Sequence, residues 1–234
     1  MRALTAAEIE ARLLYRDGLV LVIDKPAGLP VHRPPRGGAK RRGASLEDSF
    51  AHLRFGLPRP PALAHRLDRD TSGCLALGRH RKALARLSEL FRENAVEKTY
   101  WALAAGRPPE VEGRIELALG KAEERGAAPR MQVDATGLKA VTDYRLLAEL
   151  DGLSWLEVKP LTGRTHQIRV HLAALGCPVL GDPLYGDKAT GPKDGPLQLH
   201  ARALVIPLRK GKPPVRVEAP PPPHLAERLP AAKR

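Results

Sequence analysis

From Glu97 onward, five stretches with strand-like patterning follow one another, and no helical pattern comes between them. They are Glu97–Ala105, Val111–Leu119, Arg130–Asp134, Ala140–Glu149 and Leu153–Leu161, rich in β-branched and alternating apolar residues. Strands in direct succession do not fit an alternating α/β chain. They predict an α+β fold with a mixed, mostly antiparallel β-sheet and flanking helices.

Further strands are predicted at Leu19–Asp24, within Ala62–Gly78, at Leu197–Pro207 and at Val215–Glu218. Four helical patterns accompany them. Thr5 and Glu8 form a capping box for a short helix with Ile9, Leu13 and Leu14 on one face. Ser45 can cap a helix to about Phe55, with Leu46, Phe50 and Leu53 at helical spacing. Arg81–Asn94 is amphipathic, with Leu84, Leu87, Leu90 and Phe91 on one side. Gly163–Leu175 has Thr162 to cap its start, Gly176 after its end and Pro178 to prevent continuation. Its register puts Ile168, Leu172 and Leu175 on the core face. Pro108 and Pro109 make a soft midpoint at Gly106–Val111, but no linker is long enough to divide the chain. One domain over residues 1–234 is expected, with a Pro-rich tail from Ala219.

The balance of 39 basic against 26 acidic residues leaves a net charge of +13. Such a surplus points to a polyanionic partner, nucleic acid or an anionic membrane face. Arg33, Arg36, Lys40, Arg41 and Arg42 cluster in a Pro- and Gly-rich stretch, residues 33–43, that reads as a basic loop for phosphate contact. Aromatics are only 4%, which disfavours a single-strand binder that stacks successive bases. A structured RNA held by its phosphates suits the composition better.

Other chemistries lack their residues. GDPLYGDK (Gly181–Lys188) has no Gly-Lys-Ser/Thr to cradle a triphosphate, and no GxGxxG follows a strand. His166 and His171 stand roughly 140° apart on a helix, and Cys74 and Cys177 have no second ligand at finger spacing, so no metal is expected. Ser72 is not in a nucleophile elbow, and Cys74 reads as a small core residue. No segment near the start is apolar enough for a signal or a membrane span, and two cysteines suit a reducing cytoplasm.

Two segments are dense in chemistry. AHRLDRDTSG (Ala64–Gly73) sets His65, Arg66, Asp68, Arg69, Asp70 and Thr71 between apolar stretches. If extended, it points Leu67 and Arg69 one way and Arg66, Asp68 and Asp70 the other. A carboxylate beside arginines stays ionised and oriented, as a nucleophilic or basic aspartate requires. In KPLTGRTHQIRVH (Lys159–His171), the N–H groups at Gly163–Thr165 would form a phosphate seat at a helix start, with Arg164 and His166 beside it. Arg169 could turn inward to a carboxylate or outward to solvent.

These segments resemble, in order, the boxes of the ribosomal large subunit pseudouridine synthase A family. VLVIDKPAGLPVH, AHRLDRDTSG, RENAVEKTYWALAAG, LKAVTDYRLL, PLTGRTHQIRVHLAALGCPVLGDPLYG and QLHARALVI carry the resemblance across nearly the whole chain. It implies the pseudouridine synthase fold with a central cleft, and no cofactor. It implies that Asp68 is catalytic and that Arg169 ion-pairs with it. Tyr100 would pack against the flipped uracil and handle its C5 proton. Arg66 would enter the RNA, Ile168 would line the pocket, and Arg164, His166 and Gln167 would contact RNA. Fewer than twenty residues precede the first strand, so the S4-type domain of many members is not expected. The longer basic loop is a second departure. Both leave open whether the target is a transfer or a ribosomal RNA, with a transfer RNA stem-loop favoured.

The implied reaction breaks the N1–C1′ bond of a uridine, turns the base and joins C5 to C1′. Asp68 would attack C1′ or remove the 2′ proton, and both routes are open. Asp70 is expected to be structural, paired with Arg69 or Arg81. Two carboxylates two residues apart also allow an RNA N-glycosidase, which would release free uracil. A non-catalytic RNA-binding or chaperone protein of the same fold is the third reading. A monomer is the default, with no DNA or membrane partner.

Overall fold

The computed structural model describes residues 2–32, 43–122, 130–186 and 195–230. In chain order the helices are α1 (Ala6–Glu10), α2 (Arg81–Arg92), α3 (Gln167–Ala174) and α4 (Pro223–Ala226). The strands are β1 (Leu13–Arg16), β2 (Val20–Lys25), β3 (Ala62–Leu63), β4 (Ser72–Gly78), β5 (Glu97–Ala105), β6 (Glu112–Glu116), β7 (Leu119–Lys121), β8 (Met131–Val133), β9 (Val141–Leu150), β10 (Leu153–Pro160), β11 (Leu199–Ile206) and β12 (Val215–Glu218). The α+β class holds, and every pairing whose register is described is antiparallel.

The chain divides into two compact units, residues 1–96 with 201–220, and residues 97–200 with 221–234. The first change of unit falls at Val96, ahead of the Pro-interrupted stretch 106–111.

In the first unit the strand order is β1-β2-β4-β11, with β12 beside β11 and β3 beside the end of β4. β4 reads SGCLALG and is buried at every position, so it lacks the alternation of a half-exposed strand. Its two glycine ends allow close approach. A Cβ on Gly73, which has φ +105°, would collide with the Ala201 carbonyl, and one on Gly78 would lie 2.6 Å from the Leu84 Cα. Helix α2 lays Ala83, Leu87 and Leu90 inward, where Leu87 and Leu90 join Val20, Val22, Ala76 and Leu204. The Thr5–Glu8 capping box is present, but α1 ends at Glu10. Leu13 and Leu14 belong to strand β1, because the chain turns to pair with β2. The Ser45-led segment is a 3-10 helix over Leu46–Leu53, burying Leu46, Phe50 and Leu53.

In the second unit the order is β5-β10-β9-β6, with β7 and β8 forming a separate hairpin. Asp151 and Gly152, both at positive φ, join β9 to β10 in a two-residue turn. The single strand expected at Val111–Leu119 is broken into β6 and β7. The last described residues, up to 230, do not trail off as a tail. Leu225 in α4 and Leu229 just beyond it are buried with Leu103, Trp155 and Leu180.

Candidate active site

In the first unit the candidate residues lie on the turn that enters β4. The alternation expected of Ala64–Gly73 holds at Leu67, which is buried, but fails at Arg69, which is exposed. The physical reason is a turn: Thr71 N–H donates to the Asp68 carbonyl, so the chain is not extended there. Asp68 sits partly buried at this turn, with Arg66 exposed just before it.

Two residues hold the turn. His65 Nε2 accepts from Ala76 N–H at 3.0 Å, and its ring stacks on Phe91 at 4.1 Å. Lys25 is fully buried at the end of β2, and its ammonium donates to the carbonyls of Pro26, Arg69 and Thr71 at 2.8–2.9 Å. Three acceptors match the three donors of an ammonium. Burial pulls its pKa down to about 7, against the nearby carboxylates of Asp70, Asp68 and Asp24, which raise it. Asp70 lies 3.8 Å from Arg69, as a structural role requires, and Arg69 also donates to the Gly28 carbonyl. Sequence reasoning did not single out Lys25. Its signal was a lysine closing the apolar run VLVIDK.

In the second unit, Tyr100 is buried on β5, opposite Val158. The expected helix start is corrected. Helix α3 begins at Gln167, after His166 in the left-handed conformation at φ 54°, so Gly163–Thr165 supply no helix N-terminus for a phosphate. Thr162 does not cap the helix. It donates to Gln167 Oε1 at 2.7 Å and accepts from Val141 N–H. Gln167 Oε1 also accepts from Arg164 N–H, and its Nε2 donates to the Val141 carbonyl and to Thr142 Oγ1. The whole amide is engaged within the protein, so Gln167 braces the turn rather than offering a hand to RNA. His171 extends this brace, with Nδ1 2.9 Å from Thr142 Oγ1 and Nε2 3.0 Å from the Leu117 carbonyl, and burial lowers its pKa.

Helix α3 is buried almost all round. Ile168 is 7% exposed and Arg169 4%, while Leu175 is only half-buried. Arg169 turns inward. Its Nε and Nη2 each meet a carboxylate oxygen of Asp182 at 2.7 Å. Asp182 Oδ1 is further fixed by the N–H groups of Leu184 and Tyr185. The Arg169 guanidinium also lies 5.1 Å from the Tyr185 ring centre. The Tyr185 hydroxyl accepts from Met131 N–H and lies 2.8 Å from His166 Nδ1. Asp182 and Tyr185 were not singled out, although both stand in GDPLYG. Arg164 is exposed, its Nε on the Lys139 carbonyl. Arg33, Arg36, Lys40, Arg41 and Arg42 lie outside the described residues.

Comparisons with known proteins identify the family. The pattern of the RNA pseudouridylate synthase family matches residues 19–174. An uncharacterized RNA pseudouridine synthase of Zymomonas mobilis is 45% identical over 213 residues, 89% of this chain and 93% of that protein. A ribosomal large subunit pseudouridine synthase C of Rickettsia bellii is 34% identical over 197 residues, 83% of this chain but 63% of that protein. The structure of human RNA pseudouridylate synthase domain containing 4 superposes with a TM-score of 0.77 at 28% identity, over 96% of this chain and 95% of that one. The chain belongs to the RNA pseudouridine synthase family, whose members are isomerases.

Proposed function

We propose that this chain converts a specific uridine of a structured transfer or ribosomal RNA to pseudouridine, acting as a monomer in the cytoplasm. The observation that carries the reading is Asp68, held on a turn whose neighbouring carbonyls are pinned by the buried ammonium of Lys25. A fixed carboxylate is what chemistry at C1′ or at the 2′ position needs.

The target base leaves its stack at a cost of about a few kcal/mol, offset by phosphate contacts and by Arg66 entering the RNA. Asp68 initiates cleavage of N1–C1′. The uracil turns, C5 joins C1′, the C5 proton departs to Tyr100 or water, and N1 gains a proton. Atoms and charge balance with no redox partner, so no cofactor or metal is invoked. On this reading Arg169, besides its pair with Asp182, aims Asp68, and Ile168 lines the uracil pocket. Arg164 and His166 take phosphates, joined by the basic residues Arg33, Arg36, Lys40, Arg41 and Arg42, while Gln167 positions that turn.

The test treats bulk small RNA and ribosomal RNA from cells lacking the gene with the full chain. Pseudouridine is then counted in a nucleoside digest by chromatography. The expected result is a gain in one RNA class. Free uracil in place of pseudouridine would show an N-glycosidase, and binding to both RNAs with no product in either would end the enzyme reading.

A further inference from the structure

We infer that the first unit carries a second RNA-contacting site, a pocket for one nucleotide that is not the target uridine. This deepens the proposed function and rests on it for the identity of the ligand. The site is a cavity of about 290 Å³ beside the end of β4 and the start of α2. Its volume is near the lower limit of about 300–1,000 Å³ for small-molecule pockets, so it suits a single ring system.

Two kinds of side chain line it. Leu57, Pro58, Pro60, Ala62 and Leu84 offer apolar surface, while Arg59, Arg79 and Arg81 bring positive charge, His80 adds a polar ring, and no acid is among the described residues that line it. The Arg79 guanidinium is spent on the carbonyls of Asp17, Arg54 and Phe55, except for Nε, which is buried with no partner. His80 caps α2 by accepting from Ala83 N–H at Nδ1, so Nε2 carries the proton and is left as a donor. The first turn of α2 holds Arg81 and Lys82 with no acid, at the end where the helix dipole disfavours cations. Charge gathered there in an exposed position is relieved by a bound anion.

A ligand that fits must have a flat, weakly polar ring and an adjoining anion. A nucleotide has both, and on a chain with net charge +13 an RNA strand is the source that fits. The pocket is distinct from the Asp68 turn. Ala62 pairs with Gly78 at one end of β4, and the turn enters at Ser72, six residues or about 20 Å away. A nucleotide here is therefore elsewhere in the same RNA.

The experiment compares the full wild-type chain with Arg59→Glu/Arg81→Glu and with Ala62→Leu. All three positions are exposed, so circular dichroism should show both variants folded. The probe is a short fluorescein-labelled oligouridylate, followed by anisotropy across a salt series, with UMP as a second ligand. The charge-reversed variant should raise Kd about tenfold or more and make the salt slope shallower by about 1.4, two contacts at about 0.7 each. Ala62→Leu should raise Kd about tenfold with the slope unchanged. Unchanged affinity for the oligouridylate in both variants would overturn the site. Loss of UMP binding alone would overturn the RNA assignment in favour of a free nucleotide. RNA binding lost as expected, on a wild type that forms no pseudouridine, would uphold the pocket and remove the proposed function instead.

Discussion

Arg169 and Asp182 form a two-pronged ion pair sealed from solvent, with side chains 5% and 0% exposed. The geometry is the planar match of guanidinium to carboxylate, and two backbone N–H groups complete the acid. A buried pair of this kind adds little beyond apolar residues of the same shape, but breaking it leaves a buried charge without its counterpart. Asp182→Asn should therefore cost about 3–5 kcal/mol in urea unfolding. The double change Arg169→Met/Asp182→Leu should cost less than Asp182→Asn alone. A cost under about 1 kcal/mol for Asp182→Asn would mean that the pair opens in solution.

Asp68→Asn keeps the shape of the turn and removes the carboxylate charge. On the proposed function it should abolish pseudouridine formation and leave RNA affinity within about twofold. The check is a nucleoside digest alongside anisotropy on the same preparation. Full activity in this variant would remove Asp68 from the catalytic role.

Lys25 gives a pH signature. In the unfolded chain its ammonium holds the proton to about 10.5, whereas burial lowers the folded value to about 7. Between these values the unfolded state binds more protons, so the contribution of this group to stability rises with pH and its cost is fully present below 7. The stability of wild type relative to Lys25→Met should increase steadily from about pH 7 towards pH 10. A flat difference across that range, from urea unfolding of both proteins, would contradict the shift.

The two cysteines are both buried and unpaired in the fold. Burial pushes the Cys74 thiol up to about 12 and raises Cys177 as well. The thiolate is the reactive form, so neither should react with Ellman's reagent at about pH 8 within minutes, and both should do so in guanidinium. Rapid labelling of Cys74 in the native protein would show that β4 opens locally.

Much of this protein was legible from its residues. Strand β5 was read at its observed limits, and β12 likewise, because strand-forming side chains (Thr99, Tyr100 and Trp101 in β5, Val215 and Val217 in β12) and the glycine or prolines that follow act locally. Cys74 was read as core, and it is. The reading failed where distant chain decides. Gly163–Thr165 looked like a helix start, yet Gln167 gathers Thr162, Arg164, Val141 and Thr142 about its amide and delays the helix. Leu13 and Leu14 looked like a helical face, yet pairing with β2 makes them a strand.

The sequence alone determined the α+β class and the family, because capping, periodicity and motif order are properties of neighbouring residues. It also marked Asp68 and Arg169 as residues of interest. Only the tertiary structure decided that Lys25 anchors the Asp68 turn and that Arg169 faces Asp182. Both arrangements put a charge out of water, and whether a charge is buried depends on the segments folded against it. Those segments stand 44 residues from Lys25 and 13 from Arg169, beyond the reach of any local pattern.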